Sequence, residues 1–177
     1  NAFTQEEATC YYSRICAEHL KSTFAILSDM YLNPKFAAAD INKERGVIIE
    51  EIMMYKDQPQ HLVQEILGEL LWRDHALGRP LIGTTETVGK VSRADILNFK
   101  NSNYVADNTV SVFAGKVDHE ECVKLVAARL GHIRGSRKPV YPPVTRQTLQ
   151  NDVRVHSKDI EQTHVALGIR LFGRHDK

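Results

Sequence analysis

Two carboxylates stand where the surrounding pattern asks for apolar side chains. In the run Glu44-Arg45-Gly46-Val47-Ile48-Ile49-Glu50-Glu51-Ile52, a helix turning about 100° per residue puts Ile41, Val47, Ile48, Ile52, Met54 and Tyr55 on one arc. Glu44 and Glu51 fall inside that arc, while Glu50 falls opposite it with Lys43. An acid in an apolar stripe is costly unless a cation or hydrogen bonds meet it. A divalent metal ion is the leading candidate for that partner. Arginine or backbone groups from a neighbouring helix are the alternative. Seven residues separate the two acids, about 10.5 Å along a helix axis, too far to share one ion. One acid therefore suits a ligand and the other a group that orients a partner, and spacing alone does not say which.

Histidines are the natural co-ligands. The chain holds His19, His61, His75, His119, His132, His156, His164 and His175, and none forms HExxH or HxxEH. His61 and Glu65 stand at i and i+4, a two-ligand face, but that spacing is common. Glu18-His19 has Ile15 where a second histidine would be needed. GxSxG, the P-loop and GxGxxG are absent. Trp72 reads as core, and Met53 and Met54 as helical filler.

The three cysteines, Cys10, Cys16 and Cys122, are odd in number and lack CxxC spacing, which argues against a disulfide scaffold or a structural zinc site. Cys10 and Cys16 would face the same side of a strand about 20 Å apart and cannot bridge within it. They read as small buried hydrophobes and favour a reducing compartment, the bacterial cytoplasm or mitochondrial matrix, with the periplasm left open. A net charge of +1 with 25% charged residues points neither to nucleic acid nor to an acidic tail. The 42% apolar content suffices for a core, and no apolar run reaches membrane-spanning length. Asn1 is not an initiator methionine, so the chain is expected to begin inside a longer one.

The elements that must position these groups follow from pattern. Residues 2–4 and 9–16 suit strands. A helix over 18–31 stops at Asn33-Pro34. A second runs over 38–56, broken by Asp57-Gln58-Pro59, and a third carries Leu62, Ile66, Leu70 and Leu71 to about Trp72. Gly78-Arg79-Pro80 and Gly83-Thr84-Thr85 mark a loop. Ser92 followed by Asp95 suits an N-cap. Residues 109–114 are β-rich and end at Gly115. Asp118 with Glu121 signals a capping box for a helix over 119–130, closed by Gly131. Gly135, Pro139, Pro142 and Pro143 then mark a basic linker, with strands expected at 153–155 and 164–171. The order predicts an α+β fold, helices packed on a mostly antiparallel sheet.

Several of these stretches together resemble one family. Asn1-Ala2-Phe3-Thr4, Glu7, Thr9 and Tyr11-Tyr12 are similar to the edge strand and following strand of the pitrilysin/insulinase zinc metallopeptidases. Glu44-Arg45 through Val47 to Glu51-Ile52 resembles that family's acidic helix. His75-Ala76-Leu77-Gly78-Arg79-Pro80 with Ile82-Gly83-Thr84 and Glu86 matches the loop after it. Tyr104 to Asn108, Val110 to Gly115, Val117 and Asp118 match a later strand and helix start. Gln162, His164 and Gly168 look like the opening of the second half-domain. The match covers nearly the whole chain and is nearest the shorter bacterial and mitochondrial-processing-peptidase-like members.

The resemblance implies a zinc site made by two histidines of an inverted HxxEH helix and a downstream glutamate, with the motif's own glutamate as general base. Glu51 would be the downstream ligand and Glu44 the accompanying acid. Asn1, Ala2, Phe3 and Thr4 would line the cleft where an extended peptide adds as a strand. Zinc in such an open three-ligand site lowers the pKa of its water to about 7 and polarises the scissile carbonyl. The HxxEH helix is expected upstream of Asn1. Residues 1–131 would then be the C-terminal portion of the first α/β domain, 132–150 a Pro/basic linker and 151–177 the first strands of the second half-domain. The expected function is zinc-dependent endopeptidase activity in the complete protein, the chain alone being inactive. The partners would be a peptide or protein substrate and a homo- or hetero-oligomer, or a second polypeptide supplying the missing half. The alternative is a non-catalytic family subunit acting as a partner or scaffold.

Overall fold

The computed structural model describes residues 1–135, 141–144 and 152–171. They form two compact units, one of residues 1–41 and 91–141, the other of residues 42–90 and 142–177.

The first unit opens with a hairpin. Strands β1 (Ala2–Thr4) and β2 (Thr9–Tyr11) pair antiparallel, with Ala2 opposite Tyr11 and Thr4 opposite Thr9. The turn is closed by the Gln5 N–H donating to the Ala8 carbonyl at 2.8 Å. Phe3 and Tyr12, diagonal neighbours across the hairpin, bring their rings to 6.0 Å. Helix α1 (Leu20–Leu32) packs on the last helix of this unit, and Ser28 and Cys122 are buried. The Ser28 hydroxyl donates back to the Phe24 carbonyl at 2.6 Å, so its burial leaves no donor unmet. Phe24 meets Phe113 at 5.3 Å, and Tyr31 meets Tyr104 at 5.1 Å. The Tyr104 hydroxyl shares a 2.8 Å hydrogen bond with Tyr11. Burial first, then that bond, hold its pKa above the ordinary phenol range.

The second unit is built on helix α2 (Ala38–Lys56), most of which lies within it, and helix α3 (Pro59–Leu71). Pro59 opens α3 at a position where its missing N–H costs nothing. A short 3₁₀ turn, Ala76–Gly78, folds back on the end of α3. There a Cβ on Gly78 would collide with the Trp72 carbonyl oxygen, so only glycine fits. Residues 152–171 run beside α3. Arg154 pairs with Glu69 at 3.0 Å, Lys158 pairs with Asp57 at 2.7 Å, and Arg73 pairs with Asp152. Gly168 lies against Leu67 and Leu71, and the Arg170 guanidinium sits 4.4 Å above the Trp72 ring.

Three further helices complete the described chain: α4 (Thr85–Lys90), α5 (Arg93–Asn103) and α6 (His119–Leu130). Both N-caps form, the one at Asp118 without the return bond from the Glu121 side chain that a capping box needs. Ser92 and Asp95 make a full capping box, and Asp118 accepts from the Glu121 N–H at 2.9 Å. Helix α4 begins at Thr85, at the end of the loop that Gly78-Arg79-Pro80 and Gly83-Thr84-Thr85 mark. Thr84 accepts from the Thr87 N–H at 3.1 Å, and Thr87 accepts from the Thr84 N–H at 2.8 Å, a reciprocal N-terminal cap.

The departures concern strands. Residues 109–114, 153–155 and 164–171, the further strands expected, join no ladder among the described residues, and β2 ends at Tyr11 rather than at Cys16. No neighbour covers their apolar side chains among the described residues: Val112 is 81% exposed and Leu167 92%. Strand preference is a preference for a half-buried pleated surface, and residue type alone does not supply the neighbour. The described residues are thus mostly helical with one two-stranded antiparallel sheet. Of the cysteines only Cys122 is buried; Cys10 is half-buried and Cys16 exposed, which corrects the expectation of three buried ones. Most of the predicted linker, at 136–140 and 145–151, lies outside the described residues. No described helix is long and apolar enough to cross a membrane.

Candidate functional site

Helix α2 presents the two acids differently. Its buried line is narrower than the sequence arc. Ile52 is 2% exposed, Ile41, Ile48 and Tyr55 are half-buried, and Val47 and Met54 are exposed. Glu51 lies on the flank of that line, half-buried. Glu44 is exposed and has no hydrogen bond or ion pair among the described residues. The expected burial of Glu44 is therefore corrected: Asn42, Lys43 and Gly46 around it are exposed as well, so water solvates that part of the helix.

Glu51 is met by a neutral donor. The Tyr55 hydroxyl, one turn on, donates to Glu51 Oε1 at 3.2 Å, the i,i+4 contact a helix face allows. That bond, followed by the negative charge of Glu51, raises the Tyr55 pKa, so the phenol keeps its proton at neutral pH. The Tyr55 ring also packs at 5.4 Å from His61, which opens α3. Glu51 Oε2 has no partner among the described residues. The nearest guanidinium along the helix turns elsewhere: Arg45 donates to Asn42 Oδ1 at 2.6 Å and to the Val88 carbonyl at 3.3 Å. Among the described residues Glu51 is thus a half-desolvated carboxylate with one oxygen hydrogen-bonded, one open and no arginine on it. The sequence reading takes Tyr55 only as an apolar member of the stripe; its i,i+4 spacing from Glu51 is the signal that reveals this pair.

That arrangement fits one ligand of a metal ion and not a whole site. No three His, Cys, Asp or Glu side chains come together to hold an ion among the described residues. His61 packs its ring 5.4 Å from Tyr55 and joins no cluster of metal-ligating side chains among the described residues. His75 accepts from the Leu77 N–H at Nδ1 and meets the Pro142 carbonyl at Nε2, 3.2 Å away. A surface cleft lined by Glu69, Trp72, Arg73, His75, Arg79 and Arg154 does not include Glu51.

Asn1, Ala2, Phe3 and Thr4 are all exposed, and β1–β2 is the whole described sheet. The β1 edge away from β2 therefore offers unpaired backbone groups within its unit.

Known proteins supply the frame for these features. Residues 1–85 match the family model described as insulinase, peptidase family M16, and residues 90–177 match the model described as peptidase M16 inactive domain. A Mycobacterium tuberculosis protein named as an uncharacterized zinc protease is 38% identical over 98% of the chain. A Bacillus subtilis protein named uncharacterized zinc protease YmxG is 29% identical over 96% of it. The chain spans about 40% of the length of the first of these and 41% of the second. Among solved structures, a putative M16-like peptidase from Alicyclobacillus acidocaldarius aligns with a TM-score of 0.60 at 23% identity, covering 70% of this chain and 30% of that one. The periplasmic protease PqqL from Escherichia coli aligns at 0.63 and 24% identity, covering 74% and 15%. Two family models that meet within four residues and together take in nearly every position, with relatives at this identity, lead to one conclusion: the chain belongs to the insulinase family of peptidases, M16.

Proposed function

We propose that this chain is part of a zinc-dependent endopeptidase and contributes one metal ligand, Glu51. The observation that carries the reading is the state of that carboxylate. It is half-buried on α2 and held at one oxygen by a neutral phenol, and among the described residues the other oxygen has no partner and no guanidinium neutralises it. A structural acid so placed would be expected to meet an arginine. A ligand is expected to keep its charge for a cation. Relatives named as zinc proteases support the same reading. Glu51 also lies in the part matching the insulinase model, not in the part matching the inactive domain.

In this reading two imidazoles and the general-base glutamate come from residues upstream of Asn1. What zinc supplies when bound is Lewis acidity toward water and the scissile carbonyl. The chain's own residues do the rest of the work assigned to them here. Glu51 holds the ion. Glu44, exposed and unpaired among the described residues, contributes negative charge about two turns away. Asn1 to Thr4 bind substrate: the open β1 edge pairs with an extended peptide, whose backbone then lies in a fixed register. Helices packed on a larger, mostly antiparallel sheet, with residues 1–131 in one domain and 151–177 opening the next, are part of the same proposal. So are a reducing compartment and a second half, in the same or another polypeptide.

The test is Glu51→Gln in the full-length protein. Stoichiometric zinc and peptide hydrolysis are both expected to be lost while the circular dichroism spectrum stays unchanged. Retention of both would remove Glu51 from the site.

A further inference from the structure

We infer that Tyr55 is a positioning residue for the metal ligand, fixing the Glu51 carboxylate so that Oε2 alone faces the ion. This rests on the reading of Glu51 as a ligand. The geometry is local and complete. Tyr55 is one turn beyond Glu51 on α2, its hydroxyl donates to Oε1 at 3.2 Å, and Oε2 has no partner among the described residues. The ring that carries the hydroxyl is itself half-buried and packed 5.4 Å from His61 at the start of α3. The donor is therefore placed by the junction of two helices and not by the carboxylate it serves.

The chemistry favours this donor over the alternatives. A carboxylate at the end of a glutamate turns freely about its last torsion, and both oxygens compete for a cation. A hydrogen bond on Oε1 selects one orientation and leaves single-oxygen ligation through Oε2. An arginine or lysine in the same place would also fix the group, but would spend the negative charge that attracts the ion. A phenol fixes it and leaves the charge. Groups that hydrogen-bond to metal ligands in this way are typically worth about 10- to 100-fold in metal affinity.

The experiment measures zinc affinity by chelator competition on the full-length protein, comparing wild type, Tyr55→Phe and Glu51→Gln. Tyr55→Phe keeps the ring packed on His61 and removes only the donor. It is expected to weaken zinc binding by about tenfold while the melting temperature of the zinc-free protein is unchanged. A hydroxyl that merely stabilised the helix would show the reverse, a lower zinc-free melting temperature with unaltered affinity, and that result overturns the proposal. Unaltered affinity with an unaltered melting temperature overturns it equally. Glu51→Gln separates the two levels. If it abolishes stoichiometric zinc while Tyr55→Phe binds as wild type, the ligand stands and the positioning role falls. If Glu51→Gln binds zinc as wild type, the ligand assignment itself falls.

Discussion

Replacing Ile52 by alanine should loosen the turn of α2 that carries Glu51 and Tyr55. Ile52 is 2% exposed and is the one fully buried hydrophobic residue described in its unit. The substitution removes three carbon atoms from that environment. At about 0.8 kcal/mol per buried methylene, the transfer loss is roughly 2.4 kcal/mol. The unfilled space adds to it, giving about 3 kcal/mol in all, inside the usual range for such truncations. Because about 1.4 kcal/mol is a factor of ten, the amides of α2 should exchange with solvent about 100-fold faster. Met53 is the control, since it is next in sequence but 50% exposed; Met53→Ala should change exchange by less than about fivefold. The assay is hydrogen exchange by mass spectrometry on the full-length zinc-free protein, read on peptides covering residues 41–56. Exchange in Ile52→Ala within threefold of wild type, or equal effects at the two positions, would show that Ile52 does not anchor this helix.

Two further outcomes are expected. Ser92→Ala should open the N-terminus of α5, with its first-turn amides exchanging about fivefold faster, because the hydroxyl accepts from the Asp95 N–H and donates to the Asp95 carboxylate. The Ser92 side chain, then its backbone N–H, hold the Asp95 pKa below its usual 3.8, so this support is present above about pH 4 and lost as pH falls through the folded value; a mutant difference that grows toward pH 3 would contradict the sign. The 177-residue chain by itself should bind no stoichiometric zinc in equilibrium dialysis, and tight one-to-one binding would contradict a site completed from outside it.

What the sequence made legible is local. Helix α2 was read at 38–56, the span observed, because its apolar spacing is regular and Asp57-Gln58-Pro59 ends it. The caps at Ser92 and Asp118 were legible because one side chain and one amide three residues on settle each. What failed depends on neighbours. The valines and leucines of 109–114, 153–155 and 164–171 are residues that strands favour, but a ladder needs a second strand, and residue type does not name one. The same limit applies to Glu44: the helical wheel places it with Ile48 and Ile52, yet the buried line of α2 is narrower than that arc and leaves Glu44 exposed. Glu51 stands out in the sequence as an acid in an apolar stripe, but the phenol that meets it does not, because Tyr55 reads there as an apolar member of the same stripe. Tyrosine carries both an apolar body and a donor, and the i,i+4 spacing to an acid was the clue to the second role.

The central claim is that Glu51 is a zinc ligand through one oxygen. It is tested most directly by anomalous diffraction at the zinc edge from crystals of the full-length protein. A single peak about 2.0–2.2 Å from Glu51 Oε2, with Tyr55 still bonded to Oε1, is the predicted result. A zinc peak with other ligands while Glu51 faces only Tyr55 and water would contradict it.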